Sequence, residues 1–263
     1  MARSRTSDRH YLARMSPCAN CGAEHDSPYC PKCGERRRAP GIRLAEVVHD
    51  FAAGLYNFDG PFLNTLRAFL RGPGALTRSF VAGKRMAFTP PVRYFLLGIA
   101  YYYIMRWLLN WDPVDSAVSA SGGNPASATG AMRVNHWMSQ NVNLLLPLLM
   151  VILASLDRAL FPRTALSWVE RLVHYLFASG TYLILSTTLL PLAKLWPVFQ
   201  LFNFLIIFGV IIYATLSVHN RSAWNAIKAV VMTPAAFMVY IALCTVLVAL
   251  MLGVPLKEVM VRR

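Results

Sequence analysis

Apolar positions follow two regimes along this chain, and the change falls near Thr89-Pro90-Pro91. Before that step, apolar residues recur at helical spacing and leave a polar face. In LAEVVHDFAAGL, Leu44, Val47, Val48, Phe51 and Leu55 share one side, opposite Glu46, His49 and Asp50, which is the pattern of an amphipathic helix. Asn57–Gly60 breaks it. A second short helix fits Pro61–Leu70, with proline at a first-turn position that needs no N–H. Gly72-Pro73-Gly74 ends that helix, and a third is expected over Ala75–Val81 before Gly83 turns the chain. The two prolines that follow Thr89 then impose extended backbone.

Beyond that step the apolar pattern becomes nearly continuous. Runs fall at about 92–109, 142–160, 172–192, 197–218 and 229–254. The first is about 27 Å long at helical rise, enough for a tilted or slightly short membrane span. The second is the weakest, because Asp157 and Arg158 limit its uncharged part, and it is the candidate for a segment that enters a membrane without crossing. Between these two, SAVSASGGNPASATGA cannot build a core, so residues 112–135 are expected to form a flexible loop. Residues 1–15 are basic and aperiodic, as in a mobile tail. The expected fold class is an all-α polytopic membrane protein. Five transmembrane helices occupy residues 92–263, preceded by interfacial amphipathic helices over 44–91 and by a small cysteine-bearing head over 16–38.

Composition supports lipid as the solvent of much of the surface. Of the residues, 56% are hydrophobic and 14% charged, against roughly a quarter charged in a soluble domain. Lys and Arg number 26 and Asp and Glu 12, a formal charge of +14, and 15 of the 26 basic residues precede Tyr94. The stretch Asn57–Tyr94 interleaves apolar patches with Arg67, Arg71, Arg78, Lys84, Arg85 and Arg93 and carries little acid beyond Asp59. A segment lying along an anionic membrane surface has that composition. Residues 1–30 hold no apolar core of the kind a secretory signal needs, so the head is expected on the cytoplasmic side. Basic residues in the loops agree: Arg133 alone between the first two runs, but Arg158, Arg163 and Arg171 between the second and third, and Arg221 and Lys228 between the fourth and fifth. Five crossings place Lys257, Arg262 and Arg263 outside, against the same rule.

The most specific chemical signal is Cys18-x2-Cys21-x8-Cys30-x2-Cys33. Each CxxC turn aims two thiolates at one centre, and four thiolates suit tetrahedral zinc. Gly22 and Gly34 follow the second cysteine of each pair, where a tight knuckle favours a residue without Cβ. The set is closed, leaving no position for substrate or water, so the Zn²⁺ it implies is structural, and its binding supplies folding free energy that so short a segment cannot obtain from a core. Disulfides, a redox pair and an iron–sulfur cluster are the other readings of the same residues, and disulfides conflict with a cytoplasmic head. His25 reads as an exposed turn residue and Cys244 as a small buried hydrophobe.

CANCG and YCPKCGE, followed by FDGPFLNTLRAFLRGPGALTRSFVAGKR and TPPVRYFLL, resemble a bacterial zinc-ribbon inner-membrane family of unassigned function, domain of unknown function 3667. The resemblance rests on the two knuckles, Asp59, Thr65, Pro73-Gly74, Gly83-Lys84-Arg85, Pro91 and Tyr94, within residues 18–97. It implies the same architecture and a multi-pass location in the bacterial inner membrane. It implies no catalytic residues.

Candidate binding chemistry is sparse. Lys84, Arg85 and Arg93 sit where a lipid phosphate could be gripped, though positive-inside anchoring explains them equally. Asp157 and Arg158 close the second run while His174 and Tyr175 open the third, a combination that could line a polar membrane site or form a local salt bridge beside an interfacial aromatic. Arg106 can snorkel to the outer interface, and Asn203 fits a helix–helix hydrogen bond. No glycine-rich phosphate loop, HExxH or GxSxG occurs. The sequence therefore favours a non-enzymatic membrane scaffold that contacts anionic lipid headgroups and engages a cytoplasmic protein partner through the ribbon. A small transporter or channel component is the alternative. A membrane-tethered nucleic-acid contact ranks last, since Tyr11 and Tyr29 are the head's few stacking aromatics.

Overall fold

The computed structural model describes residues 16–36, 61–111, 130–195, 199–219 and 222–256. The expected tail, the amphipathic segment 44–55 with His49-Asp50, Asp59, most of the loop 112–135 and the C-terminal cations lie outside those residues.

The head opens with two short antiparallel strands, β1 (Ser16–Pro17) and β2 (Glu24–His25), in the register Ser16 to His25 and Pro17 to Glu24. Helices follow. α1 (Pro61–Arg71) and α2 (Pro73–Val81) are separated by Gly72 alone. Pro73 cannot continue α1, but it fits the first turn of α2, whose leading N–H groups have no helical partner. The end of α2 closes through Lys84 N–H to the Ser79 carbonyl at 3.0 Å and Gly83 N–H to the Phe80 carbonyl at 3.1 Å, the paired bonds of a Schellman motif. α3 (Pro91–Leu108) begins after Pro90, whose backbone is extended as Thr89-Pro90-Pro91 requires. It ends on the same motif, with Asn110 in the left-handed region.

α4 (Gly130–Leu160) is a continuous helix of 31 residues. This corrects one expectation. Residues 130–135, assigned to the flexible loop, are helical, because AMRVNHWM contains no breaker and Val134 is buried against Val248, Ala249 and Val254. The second apolar run lies within this one helix, which accommodates Pro147. α5 (Trp168–Thr188) starts earlier than the expected 172, at a capping box in which the Ser167 hydroxyl accepts the Glu170 N–H and the Glu170 carboxylate accepts the Ser167 N–H. It also stops earlier than the expected 192, and the short α6 (Leu190–Leu195) follows, with Pro191 in its first turn. α7 (Phe199–Val218) and α8 (Ala223–Met251) complete the bundle, α8 capped by the Ser222 hydroxyl.

α5 is the central post. It packs against α3, α4, α7 and α2, and its buried residues point in every direction, from Arg171 and Val173 to Phe177, Gly180, Leu183 and Thr187. The α3 contact is tight: a Cβ at Gly180 would lie 2.6 Å from the Tyr94 ring, and one at Gly98 would lie 3.1 Å from the Leu183 side chain. α4 and α8 pair on the other side of the core, around Leu149, Met150, Leu153, Met232 and Tyr240.

All five apolar runs are thus helical, as α3, α4, α5, α7 and α8. Among the described residues, two helices are long and apolar enough to cross a membrane: Asn143–Leu160 within α4, and α8. Phe202–Val218 is a shorter apolar helix. α3 and α5 are less apolar: besides Arg93 and Arg106, α3 carries four tyrosines, and besides Glu170 and Arg171, α5 carries His174 and several serines and threonines. Large apolar side chains face outward on α8 and α3, including Val231, Met238, Leu250 and the 80% exposed Trp107. With the two candidate spans, these exposed apolar side chains give weak support for membrane association.

Candidate metal centre

Two matching turns build the head. Cys18 N–H donates to the Ala23 carbonyl at 2.9 Å and Gly22 N–H to the Cys18 carbonyl at 2.9 Å; twelve residues on, Cys30 N–H reaches Glu35 at 2.9 Å and Gly34 N–H reaches Cys30 at 2.8 Å. Gly22 and Gly34 close the turns with φ of 74° and 72°, a conformation costly for any residue with a Cβ. A bridge between Tyr29 and Arg36 does for the second turn what β1 and β2 do for the first.

These turns bring four sulfurs together. The Sγ atoms of Cys18 and Cys33 are 3.5 Å apart, those of Cys21 and Cys30 are 3.6 Å apart, and all four lie within 4.8 Å of one another. A tetrahedron with metal–sulfur bonds of about 2.3 Å has edges of about 3.8 Å, so the geometry fits a four-coordinate ion. All four thiols are free. The Ala23 N–H favours the Cys21 thiolate, yet desolvation and the sulfurs of Cys33, Cys30 and Cys18 outweigh it and push that thiol up to about 12. Four cysteines this close together could bind a metal ion. His25 is buried rather than exposed, because β2 turns it inward, and its Nδ1 lies 3.0 Å from the Ser27 carbonyl. It is not part of the sulfur group.

The expected headgroup cations divide. Lys84 is exposed and Arg93 partly so. Arg85 is buried, its guanidinium 5.5 Å from the Phe80 ring centroid, which removes it from the surface. The head grips the same turn by its backbone: the Glu35 carboxylate accepts the main-chain N–H of Arg85 at 2.9 Å and that of Met86 at 2.8 Å.

The expected polar group at the ends of α4 and α5 is also regrouped. Asp157 does not pair with Arg158, which is exposed on the far side of the helix. Asp157 is 3% exposed and holds Arg171, itself 2% exposed, through one oxygen. The other oxygen is 2.6 Å from Nε2 of His219, whose Nδ1 is 2.7 Å from the Thr164 hydroxyl. Arg171 also donates to the carbonyls of Phe161, Thr164 and Leu166, and Phe161 stacks on His219 at 3.9 Å. His174 turns away to the Thr77 hydroxyl of α2 at 2.7 Å, and Tyr175 meets Thr215 of α7 at 3.1 Å. One carboxylate thus ties together the ends of α4, α5 and α7. Of its partners, Arg171 was visible as a loop cation, whereas nothing local marked His219 or Thr164.

The residues singled out before α3 and in its first turn hold the helices together. Thr65 accepts the Thr89 N–H at 2.8 Å. Gly74 N–H donates to the Ser217 hydroxyl at 2.7 Å, and a Cβ there would lie 2.3 Å from the Ser217 carbonyl oxygen. Tyr94 is buried with its hydroxyl 3.1 Å from Thr181. Asn203 accepts from Ser186 at 2.8 Å, a hydrogen bond between α5 and α7 as expected. Cys244 is buried, also as expected.

A four-cysteine head beside a bundle of apolar helices defines the class as a helical chain with two candidate membrane spans and a possible metal site. Residues 59–103 match a family described as "Protein of unknown function (DUF3667)", the family the sequence resembles. The matched segment runs from α1 into α3 and begins after the head. Neither the curated proteins nor the solved structures contain a match.

Proposed function

We propose that this chain is a non-enzymatic membrane scaffold with a structural zinc ribbon on its cytoplasmic side and a collar, α1 to the start of α3, that contacts anionic lipid. The observation that carries the reading is the outer face of α1. Leu63, Arg67, Leu70 and Arg71 all lie exposed, at the spacing of one helical face. Arg78 and Lys84 extend the cationic surface. Exposed leucines between arginines match an acyl boundary beneath phosphates. The closed set of four sulfurs suits a structural ion, and Zn²⁺ is the cation best fitted to four thiolates in a reducing compartment.

A transporter gains less support. The polar residues at the ends of α4 and α5 are engaged with one another and with α2 and α7. A permeating ion would have to displace those partners.

The lipid reading is tested on the full chain in mild detergent. Added phosphatidylglycerol should raise its thermal stability more than phosphatidylcholine does. The combined Arg67→Gln, Arg71→Gln and Lys84→Gln variant should lose most of that difference. An equal response to both lipids in the unmodified chain rejects the collar.

A further inference from the structure

We propose that the metal centre works as a latch on the strap that leads into α3, so that metal occupancy sets the conformation of residues 83–86; this rests on the reading that the four cysteines hold a metal. The strap links the end of α2 to Pro91 and touches both knuckles. From the first knuckle, Ala19 lies so near that a Cβ at Gly83 would come within 3.1 Å of its methyl group. From the second come Gly34, beside the Met86 side chain, and Glu35.

Glu35 makes the mechanical connection. Its backbone carbonyl closes the second knuckle by accepting the Cys30 N–H at 2.9 Å. Its carboxylate, on a side chain only 5% exposed, accepts the N–H groups of Arg85 and Met86. Hydrogen bonds to a carboxylate are among the stronger ones, and two converging on one oxygen fix both partners. The same residue therefore belongs to the metal turn and to the strap. A knuckle of this size keeps its shape through its metal. Without the ion, the Glu35 backbone loses the turn that aims its carboxylate; Met86 then loses that acceptor and Arg85 keeps only the Gly83 carbonyl, at 2.9 Å.

The far half of the strap is held independently of the head. Asn64 donates to the Ala87 carbonyl at 3.2 Å and Thr65 accepts the Thr89 N–H at 2.8 Å. The latch thus governs residues 83–86, where Lys84 is exposed, while α1 retains the approach to α3. Loss of metal frees the cationic turn without unseating the helix. A partner or a membrane surface that reads Lys84 and its neighbours would then sense the state of the head.

Amide hydrogen exchange on the full chain in detergent tests this, with zinc content measured first. In the zinc-loaded chain, Arg85 and Met86 should be protected. Stripping the ion with a chelator should speed their exchange on the order of tenfold or more, the scale of losing a hydrogen bond to a charged acceptor, while Phe177 and Leu183 in α5 stay protected. Glu35→Ala should do the same with zinc still bound, and Glu35→Gln should give a smaller change. If zinc binds and leaves but exchange at Arg85 and Met86 does not move, the latch is wrong and the metal site stands. A purified chain that takes up no zinc overturns the metal reading beneath it. Should Glu35→Ala fail to fold, the comparison of loaded with stripped wild type decides alone.

Discussion

Asp157 is the residue on which three helix ends converge. A buried carboxylate bound by an arginine and a histidine is costly to leave half-paired, because the remaining charge keeps its desolvation penalty and loses its compensation. Asp157→Asn leaves Arg171 in that position. The expected loss is about 3–5 kcal/mol, read as a shift in the unfolding free energy of the detergent-purified chain. Arg158→Gln, one residue further along and exposed, should change it by less than about 0.5 kcal/mol. Legibility in the sequence divides along the same line. The cysteine spacing is local chemistry, so four sulfurs converging could be read directly from Cys18 to Cys33. The partners of Asp157 are distant in the chain, with His219 62 residues away, and no spacing rule connects them. Arg85 misled for a related reason: its charge suggested surface, whereas the folded chain buries it with its guanidinium beside the Phe80 ring.

At the scale of elements, the junction between α1 and α2 explains why Pro73-Gly74 is needed there. Proline starts α2, and glycine lets its backbone lie against the end of α7, where the Ser217 hydroxyl receives the Gly74 N–H. Gly74→Ala places a methyl group against a backbone carbonyl that cannot yield as a side chain would. It should destabilise the detergent-purified chain by about 1–3 kcal/mol, while Ala75→Ser, on the exposed side of the same turn, should be nearly neutral in the same unfolding measurement. Helix boundaries were partly legible. The capping box Ser167-x-x-Glu170 stood in the sequence but was outweighed by the apolar run that begins at Leu172. The start of α4 was hidden in a segment rich in small residues, because helix formation from Gly130 is secured by tertiary packing of Val134, a signal that periodicity does not carry.

For the whole molecule, the charge asymmetry predicts a topology. With the head inside, single cysteines placed at Ser27 and at Arg163 in a zinc-loaded, otherwise accessible-cysteine-free background should be protected from impermeant thiol reagents in intact cells. One placed at Ser121 should react. Labelling of Ser27→Cys from outside would reverse the orientation. The helical class followed from hydropathy; of the five spans expected, two helices among the described residues are long and apolar enough to cross a membrane and a third apolar helix is shorter.

α5 shows what dependence on neighbouring helices means during synthesis. Its Glu170, Arg171 and His174 have partners upstream, in Ser167, Asp157 and Thr77, yet Thr215 and Asn203, which complete the hydrogen bonding of Tyr175 and Ser186, belong to chain made afterwards. A nascent α5 released sideways into hydrocarbon would carry unmatched polar groups for as long as α7 was still missing. In a membrane, the Tyr175 and Ser186 hydroxyls would meet their partners only once the ribosome had delivered α7.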